Sequence, residues 1–163
     1  EGYDYVFFVE DDNLIPKNAL VQLMSHKADV VGGFYYRKYL PLETAGMHLT
    51  ANGEPCSIEN FKIGDIIHDT LVLPMGCTLI KTDVFRRMEF PYYKEVKVKD
   101  RPALTSDTYF CEKAREAKVD LITDTGIQCL HIDRTNGIIY GHPEIVDYEK
   151  NEVKENWRDY FAV

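Results

Sequence analysis

The spacing of apolar residues changes several times from one end of the chain to the other, and each change predicts an element. Tyr5–Val9 is a continuous apolar run, Tyr-Val-Phe-Phe-Val, made of aromatic and β-branched side chains. A run of this kind predicts a strand buried on both faces of a sheet. It leads directly into Glu10, Asp11, Asp12 and Asn13, whose polar side chains suit a turn. Pro16 can open a helix, since its fixed φ and missing N–H are tolerated at the first helical position. Ala19, Leu20, Leu23 and Met24 then supply an apolar face at i, i+3, i+4 spacing. A second strand is predicted over residues 29–36, which contain Gly32 and Gly33. Strand, acidic turn, helix and strand in this order make a βαβ unit.

Residues 38–55 read as irregular, with Gly46, Gly53 and Pro55 marking loops. A short strand or hairpin is expected within residues 61–73, a buried strand over 76–80, and a short helix over 83–88 capped by Thr82. Residues 89–105, rich in proline, tyrosine and lysine, read as a surface loop long enough to be functional. Ser106 is the expected cap of a helix reaching about Ala117, with Phe110, Ala114 and Ala117 on one face. Residues 119–123 and 127–132 read as two strands around a Thr-Asp-Thr-Gly turn. From Pro143 the chain is highly charged and is predicted to be helical, with Ile145, Tyr148, Val153 and Trp157 as docking residues. Without an internal repeat or low-complexity linker, the expectation is one domain over residues 1–163, with a core at 1–141 and a charged helix at 142–163.

Composition narrows the function. The 163 residues are 45% hydrophobic and 28% charged, ordinary for a globular chain with a real core. With 27 acidic against 19 basic residues the net charge is −8, and a broadly acidic surface repels nucleic-acid backbones. A small anionic ligand is still compatible, because a bound divalent cation reverses the sign locally. Cys56, Cys77, Cys111 and Cys129 are widely spaced and form no Cys-x-x-Cys pair. Free thiols in a reducing compartment are therefore expected rather than a zinc site. No apolar run is long enough to span a bilayer, and the opening residues lack the basic start of a signal peptide. The expected location is cytoplasmic, with any membrane anchor lying outside this segment.

Four places carry candidate chemistry. The first is the acidic turn, at the carboxyl end of a predicted strand, where open α/β sheets bind ligands. Consecutive carboxylates repel one another unless a cation relieves them. In extended geometry Glu10 and Asp12 project to one side and Asp11 to the other. Such hard oxygen ligands suit magnesium or manganese. The plainer reading of the turn alone is a solvated cap on the following helix. The second is His131, near a strand end, which is an acceptable third ligand if its other nitrogen is held by a neighbour. Taken alone, such a histidine is more often structural, and Cys129 beside it reads as packing. The third is Asp107, in the first turn of the Ser106 helix, either a dipole-favoured carboxylate or a general base. The fourth is Gly76, before a strand, where the backbone either approaches a ligand or simply turns. Tyr35, Tyr36, Arg37 and Lys38 are a further candidate lining for a sugar or phosphate pocket.

The segment YDYVFFVEDDNLIPKNAL resembles the metal-binding segment of GT-A-fold glycosyltransferases, especially the family-2-like group. LPMGCTLIKTDVFRRMEFP, TSDTYFCEKAREAKVDLITDT and IQCLHID resemble, in the same order, that group's later glycine-strand-helix, acidic-helix and histidine segments. The resemblance implies a GT-A-like mixed α/β sheet flanked by helices, lacking the N-terminal nucleotide-binding strands. It implies that Glu10 and Asp12, with His131 as third ligand, hold Mn2+ or Mg2+ against the diphosphate of a nucleoside-diphosphate sugar. It makes Asp107 the base toward a hydroxyl acceptor on a sugar, lipid or protein, with inversion. Gly76 and Ser106 would line the substrate pocket, and Asp11 would sit beside the metal pair, contacting ribose or water. Two positions depart from the pattern: Glu10 stands for the first aspartate of D-x-D, and Ser106 for the acid paired with Asp107. These departures keep two alternatives open, a non-catalytic carbohydrate- or protein-binding module and a nucleotidyltransferase. The missing glycine-rich phosphate loop counts against the latter.

Overall fold

A computed structural model describes residues 2–50, 52–59, 61–98 and 101–161 of the chain. It begins with β1 (Tyr5–Val9), the two-residue β2 (Asn13–Leu14), helix α1 (Ala19–Ser25) and β3 (Val30–Phe34). Four short strands follow: β4 (Met47–Leu49), β5 (Pro55–Ser57), β6 (Ile66–Ile67) and β7 (Thr70–Val72). Next come β8 (Cys77–Lys81), α2 (Thr82–Arg87), β9 (Val96–Val98), β10 (Arg101–Leu104) and α3 (Ser106–Glu116). The last elements are β11 (Leu121–Gln128), β12 (Leu130–Asp133), β13 (Ile138–Tyr140), β14 (Val146–Asp147), β15 (Glu152–Val153) and a 3-10 helix at Glu155–Tyr160.

The main sheet runs in the order β1-β8-β3-β11-β6. Its β3–β11 pair is parallel and the other pairs are antiparallel, so the sheet is mixed. The period of two in β3 sorts its side chains onto two buried faces. Val30, aligned with Ile80 and Leu121, packs under Val84 and Met88 of the α2 region and under Phe110, Cys111 and Ala114 of α3. Val31, aligned with Leu79, packs on the opposite face with Ala19 and Leu23 of α1 and with Ile127. β1 and β3 run in the same direction, as a βαβ unit requires, but β8 is inserted between them. The fold is thus α/β, a mixed sheet with few helices.

Several local expectations are corrected. β1 lies at the sheet edge, so Tyr5 to Phe8 are only half-buried and Val9 is exposed. α1 begins three residues after Pro16, which instead bridges to Phe161. Seven residues make only two turns, and the face toward the sheet is Ala19 and Leu23, leaving Leu20 and Met24 exposed. The irregular stretch 38–55 contains β4, and β6 and β7 do not pair with each other but with β11 and β4. Thr82 is not a cap: its hydroxyl donates to the Tyr3 and Asp4 carbonyls, tying α2 to the start of β1. Thr105, not Ser106, caps α3, accepting from the Thr108 N–H. The expected surface loop 89–105 contains the β9–β10 hairpin; residues 99 and 100 lie outside the described residues.

The predicted turn at 123–126 is absorbed into one continuous strand, β11, which slips register against β3 between Thr123 and Gln128. There Asp124 is buried, and its carboxylate accepts from Gly126 N–H and Gln22 and meets His26 Nε2 at 2.8 Å, fastening α1 to the slip. The expected C-terminal helix over 142–163 is the β14–β15 pair and a 3-10 helix, with residues 162 and 163 outside the described residues. Ile145, Val146, Leu130 and Phe161 form a small core there, with Tyr148, Val153 and Trp157 packed against it. All four cysteines are free. Cys77, Cys111 and Cys129 are buried, and burial pushes the Cys111 thiol up to about 12. No helix among the described residues is long and apolar enough to cross a membrane.

Candidate functional site

The acidic residues converge through a turn rather than through extended backbone. At the end of β1 the Asn13 N–H donates to the Glu10 carbonyl at 3.1 Å, closing a tight turn over Glu10–Asn13. The chain then pairs as β2 with β12, in a register that sets Asn13 opposite His131 and Leu14 opposite Leu130. The Ile132 N–H also donates to the Asp12 carbonyl, at 2.8 Å. This short β2–β12 ladder brings the histidine to the carboxylates across more than a hundred residues of sequence.

Glu10, Asp12 and His131 each offer one ligand atom, and these atoms lie within 4.8 Å of one another. His131 Nδ1 is 2.9 Å from the Tyr36 carbonyl, which can only accept, so Nδ1 carries the proton. Nε2, with its lone pair, then faces Asp12 Oδ2 at 3.5 Å. Desolvation, reinforced by the nearby Lys38 charge, lowers the His131 pKa against the raising effects of the Tyr36 carbonyl and Asp12. A neutral imidazole with its distal nitrogen held is the state in which histidine ligates metals. The donor set of two carboxylates and one imidazole suits magnesium or manganese. Cys129 stays out of it, buried with its thiol toward the Ile127 carbonyl.

The two carboxylates are held differently. Partial burial raises the Glu10 pKa, and the neighbouring charges of Asp107 and Asp12 add to this. Asp12 also feels burial, but the Lys38 ammonium bound to its Oδ2, together with His131, more than offsets it, and its pKa falls. The Asn13 amide donates to Glu10 Oε2 at 3.2 Å and to Asp12 Oδ1 at 3.4 Å, orienting both. Asn13 Oδ1 is buried without a hydrogen-bond partner, a polar atom left over beside the cluster.

Gly76 packs directly against Asn13 and Tyr35. Its N–H donates to the Tyr35 hydroxyl at 3.0 Å, and the Tyr35 hydroxyl in turn helps stabilise the charged form of Glu10. Burial, the largest effect, raises the Tyr35 pKa far above the usual range, so the phenol keeps its proton. Its ring meets His131 edge-on, with centroids 5.2 Å apart. A Cβ on residue 76 would fall 2.4 Å from Asn13 Nδ2 and 2.6 Å from the Tyr35 hydroxyl, so only glycine fits beneath these two orienting groups. Gly76→Ala is expected to weaken manganese binding about 10-fold by shifting Asn13 and Tyr35. Calorimetric titration with manganese checks it; an unchanged affinity would remove Gly76 from the site.

Asp107 stands beside the cluster in the first turn of α3. Its Oδ2 accepts from the Met75 N–H at 3.2 Å and its Oδ1 from the Ser106 hydroxyl at 3.2 Å. After burial, its charge is the next influence that raises the Glu10 pKa, and Met75, which it holds, adjoins Gly76. Asp11 is not part of the cluster. Its side chain is exposed and pairs with Arg134, Oδ2 to Nη1 at 3.2 Å. Asn13, Tyr35 and Lys38 are the functional neighbours that motif reading underweighted; the only signal for them was proximity to the acidic turn and the second strand's end.

No family model matches the chain, and no curated protein matches it. A solved structure that does match is the crystal structure of A197 from STIV, at 17% identity and a TM-score of 0.56. In fold, the chain is similar to A197. The match covers 86% of this chain and 66% of that one, so the chain spans about two thirds of A197's length. At this identity the likeness concerns the fold alone. These findings correct the resemblance to family-2-like glycosyltransferases, which neither a family model nor a curated relative supports. The quoted segments are an apolar strand, an acidic turn and an amphipathic helix. Burial periodicity alone generates such segments in many mixed sheets, so their order is weaker evidence than it reads.

Proposed function

We propose that this crevice binds magnesium or manganese and transfers a sugar from a nucleoside-diphosphate sugar to a hydroxyl, with inversion. The observation that carries this reading is the convergence of ligand atoms of Glu10, Asp12 and His131 within 4.8 Å. Three protein ligands leave coordination positions open for substrate phosphate oxygens. A bound cation would supply positive charge against the departing diphosphate and hold it in one orientation. The remaining roles belong to the chain itself. Glu10 and Asp12 bind through carboxylate oxygens, and His131 through Nε2. Asn13 keeps both carboxylates aimed. Asp107, held by Met75 N–H and the Ser106 hydroxyl, accepts the proton of the attacking hydroxyl. Gly76 leaves room for the Asn13 amide and the Tyr35 hydroxyl. The acceptor class is a hydroxyl on a sugar, lipid or protein.

Thermal shift with manganese and a panel of nucleoside diphosphates tests the reading. Stabilisation that needs both components is expected, and its absence across the panel ends the proposal. With a donor in hand, Asp107→Asn is expected to lower turnover about 10²–10⁴-fold while donor binding changes little. Undiminished turnover removes the base role. Joint binding with no turnover toward any hydroxyl favours a non-catalytic carbohydrate-binding module instead.

A further inference from the structure

Lys38 has a relation to the cluster that the transfer reading leaves unexplained. It follows β3 in a segment held by the Arg37 N–H to the Glu43 carbonyl, 2.8 Å, and by the Tyr36–Thr44 bridge. From that anchored backbone its ammonium reaches Asp12 Oδ2, the same oxygen that faces His131 Nε2 at 3.5 Å. Its charge also acts on Glu10 and His131. The lysine therefore sits on the Asp12 oxygen that also faces His131, an oxygen that a divalent cation held by the cluster would need.

A lysine ammonium and a divalent cation a few ångströms apart repel strongly, and Asp12 Oδ2 serves only one of them well. The lysine stem is long and flexible, and its head is a hydrated point charge that rearranges readily. An ammonium expelled from Asp12 but kept at the crevice by its anchored backbone needs a new anionic partner. A phosphate oxygen held by the cation is the partner this geometry offers.

We infer that Lys38 is a built-in competitor for the cation, which leaves Asp12 when the metal enters and takes a phosphate oxyanion. The inference rests on the cation reading above. It makes metal and diphosphate cooperative: the metal alone must displace Lys38 from Asp12, whereas the metal with diphosphate gives the displaced ammonium a partner. No bond to carbon, sulfur or phosphorus forms or breaks in this exchange.

The test compares the wild type with Lys38→Gln and Lys38→Arg, titrating manganese alone, inorganic diphosphate alone, and manganese at fixed diphosphate. Free manganese is followed by its electron paramagnetic resonance signal. Lys38→Gln is expected to bind manganese alone about 10-fold more tightly than wild type and to lose most of a cooperativity of about 5–150-fold. Lys38→Arg, which keeps the charge, is expected to restore both the competition and the coupling. Lys38 is a partly exposed side chain, so thermal stability should hardly change in either variant. If wild type binds manganese and Lys38→Gln binds it no more tightly, with the same coupling, Lys38 is not a competitor and the cation reading survives. If wild type, Gln and Arg variants all fail to bind manganese, the cation reading and this inference fall together.

Discussion

Asp12→Asn is expected to lower manganese affinity by about 100-fold or more and, with it, to abolish the sugar transfer proposed above. Asp12 is the hinge of the cluster. Its Oδ2 is shared by Lys38 and His131, and its Oδ1 accepts from Asn13. An asparagine is nearly the same size but carries no charge, and one of its two head atoms is a donor that repels both a cation and the Lys38 ammonium. Replacing a group that merely supports a metal ligand commonly costs 10- to 100-fold in affinity, and loss of the ligand itself should cost at least that. Asp12 is partly exposed at a turn whose backbone bonds do not involve its side chain, so the fold should survive. Titration calorimetry, with a melting curve as control, separates the outcomes. Wild-type affinity in a folded Asp12→Asn protein would refute the cluster as a metal site.

The second large effect concerns stability and lies away from the crevice. Asp124→Ala is expected to destabilise the protein by about 3 kcal/mol, a drop in Tm of roughly 6–12 °C at this chain length. The Asp124 carboxylate is buried at 2% exposure and serves three donors on two elements: Gly126 N–H, Gln22 and His26. Truncation leaves those donors facing a void, and a buried group stripped of its partner loses far more than the net value of one hydrogen bond. The consequence should also travel. The same slip in β11 ends at Gln128, and the chain continues into β12, which carries His131. Chemical denaturation gives the free-energy difference, and a loss below about 1 kcal/mol would mean that α1 is held by its apolar face alone.

Much of the architecture was legible because burial writes its period into sequence. Val30 and Val31, Leu79 and Ile80, and Phe110 with Ala114 announce which faces are covered, and the structure packs them accordingly. The acidic turn after an apolar strand was legible for the same reason. What periodicity does not encode is which strand lies beside which. Nothing local to Tyr5–Val9 reveals that β8, some seventy residues later, pairs with it, or that it ends at the sheet edge. Thr-Asp-Thr-Gly has the composition of a turn, yet tertiary partners hold it extended, with the Thr125 hydroxyl donating to backbone carbonyls and Asp124 turned inward. The charged C-terminal stretch had helical composition but too few apolar residues at helical spacing, and the Leu130–Ile145–Phe161 core sets its course instead.

The candidate site divides along the same line. Glu10, Asp12, His131, Asp107 and Gly76 were visible as residue types at strand and helix ends; the structure sets ligand atoms of the first three within 4.8 Å of one another and ties Asp107 to Met75, beside Gly76. Asp11 went the other way, out to Arg134, because the turn at Glu10–Asn13 aims neighbouring side chains apart. Lys38 was legible only as one of four candidate pocket-lining residues and Asn13 only as a turn residue, since their contacts depend on where a side-chain head ends up rather than on what it is.

Anomalous scattering from crystals grown with manganese bears most directly on the whole account. One strong peak is expected between the Glu10 and Asp12 carboxylates and His131 Nε2, with the Lys38 ammonium moved off Asp12 Oδ2. No peak at that position, or a peak confined to the groove lined by Asp69 and Asp120 at the far end of the strands, would contradict it.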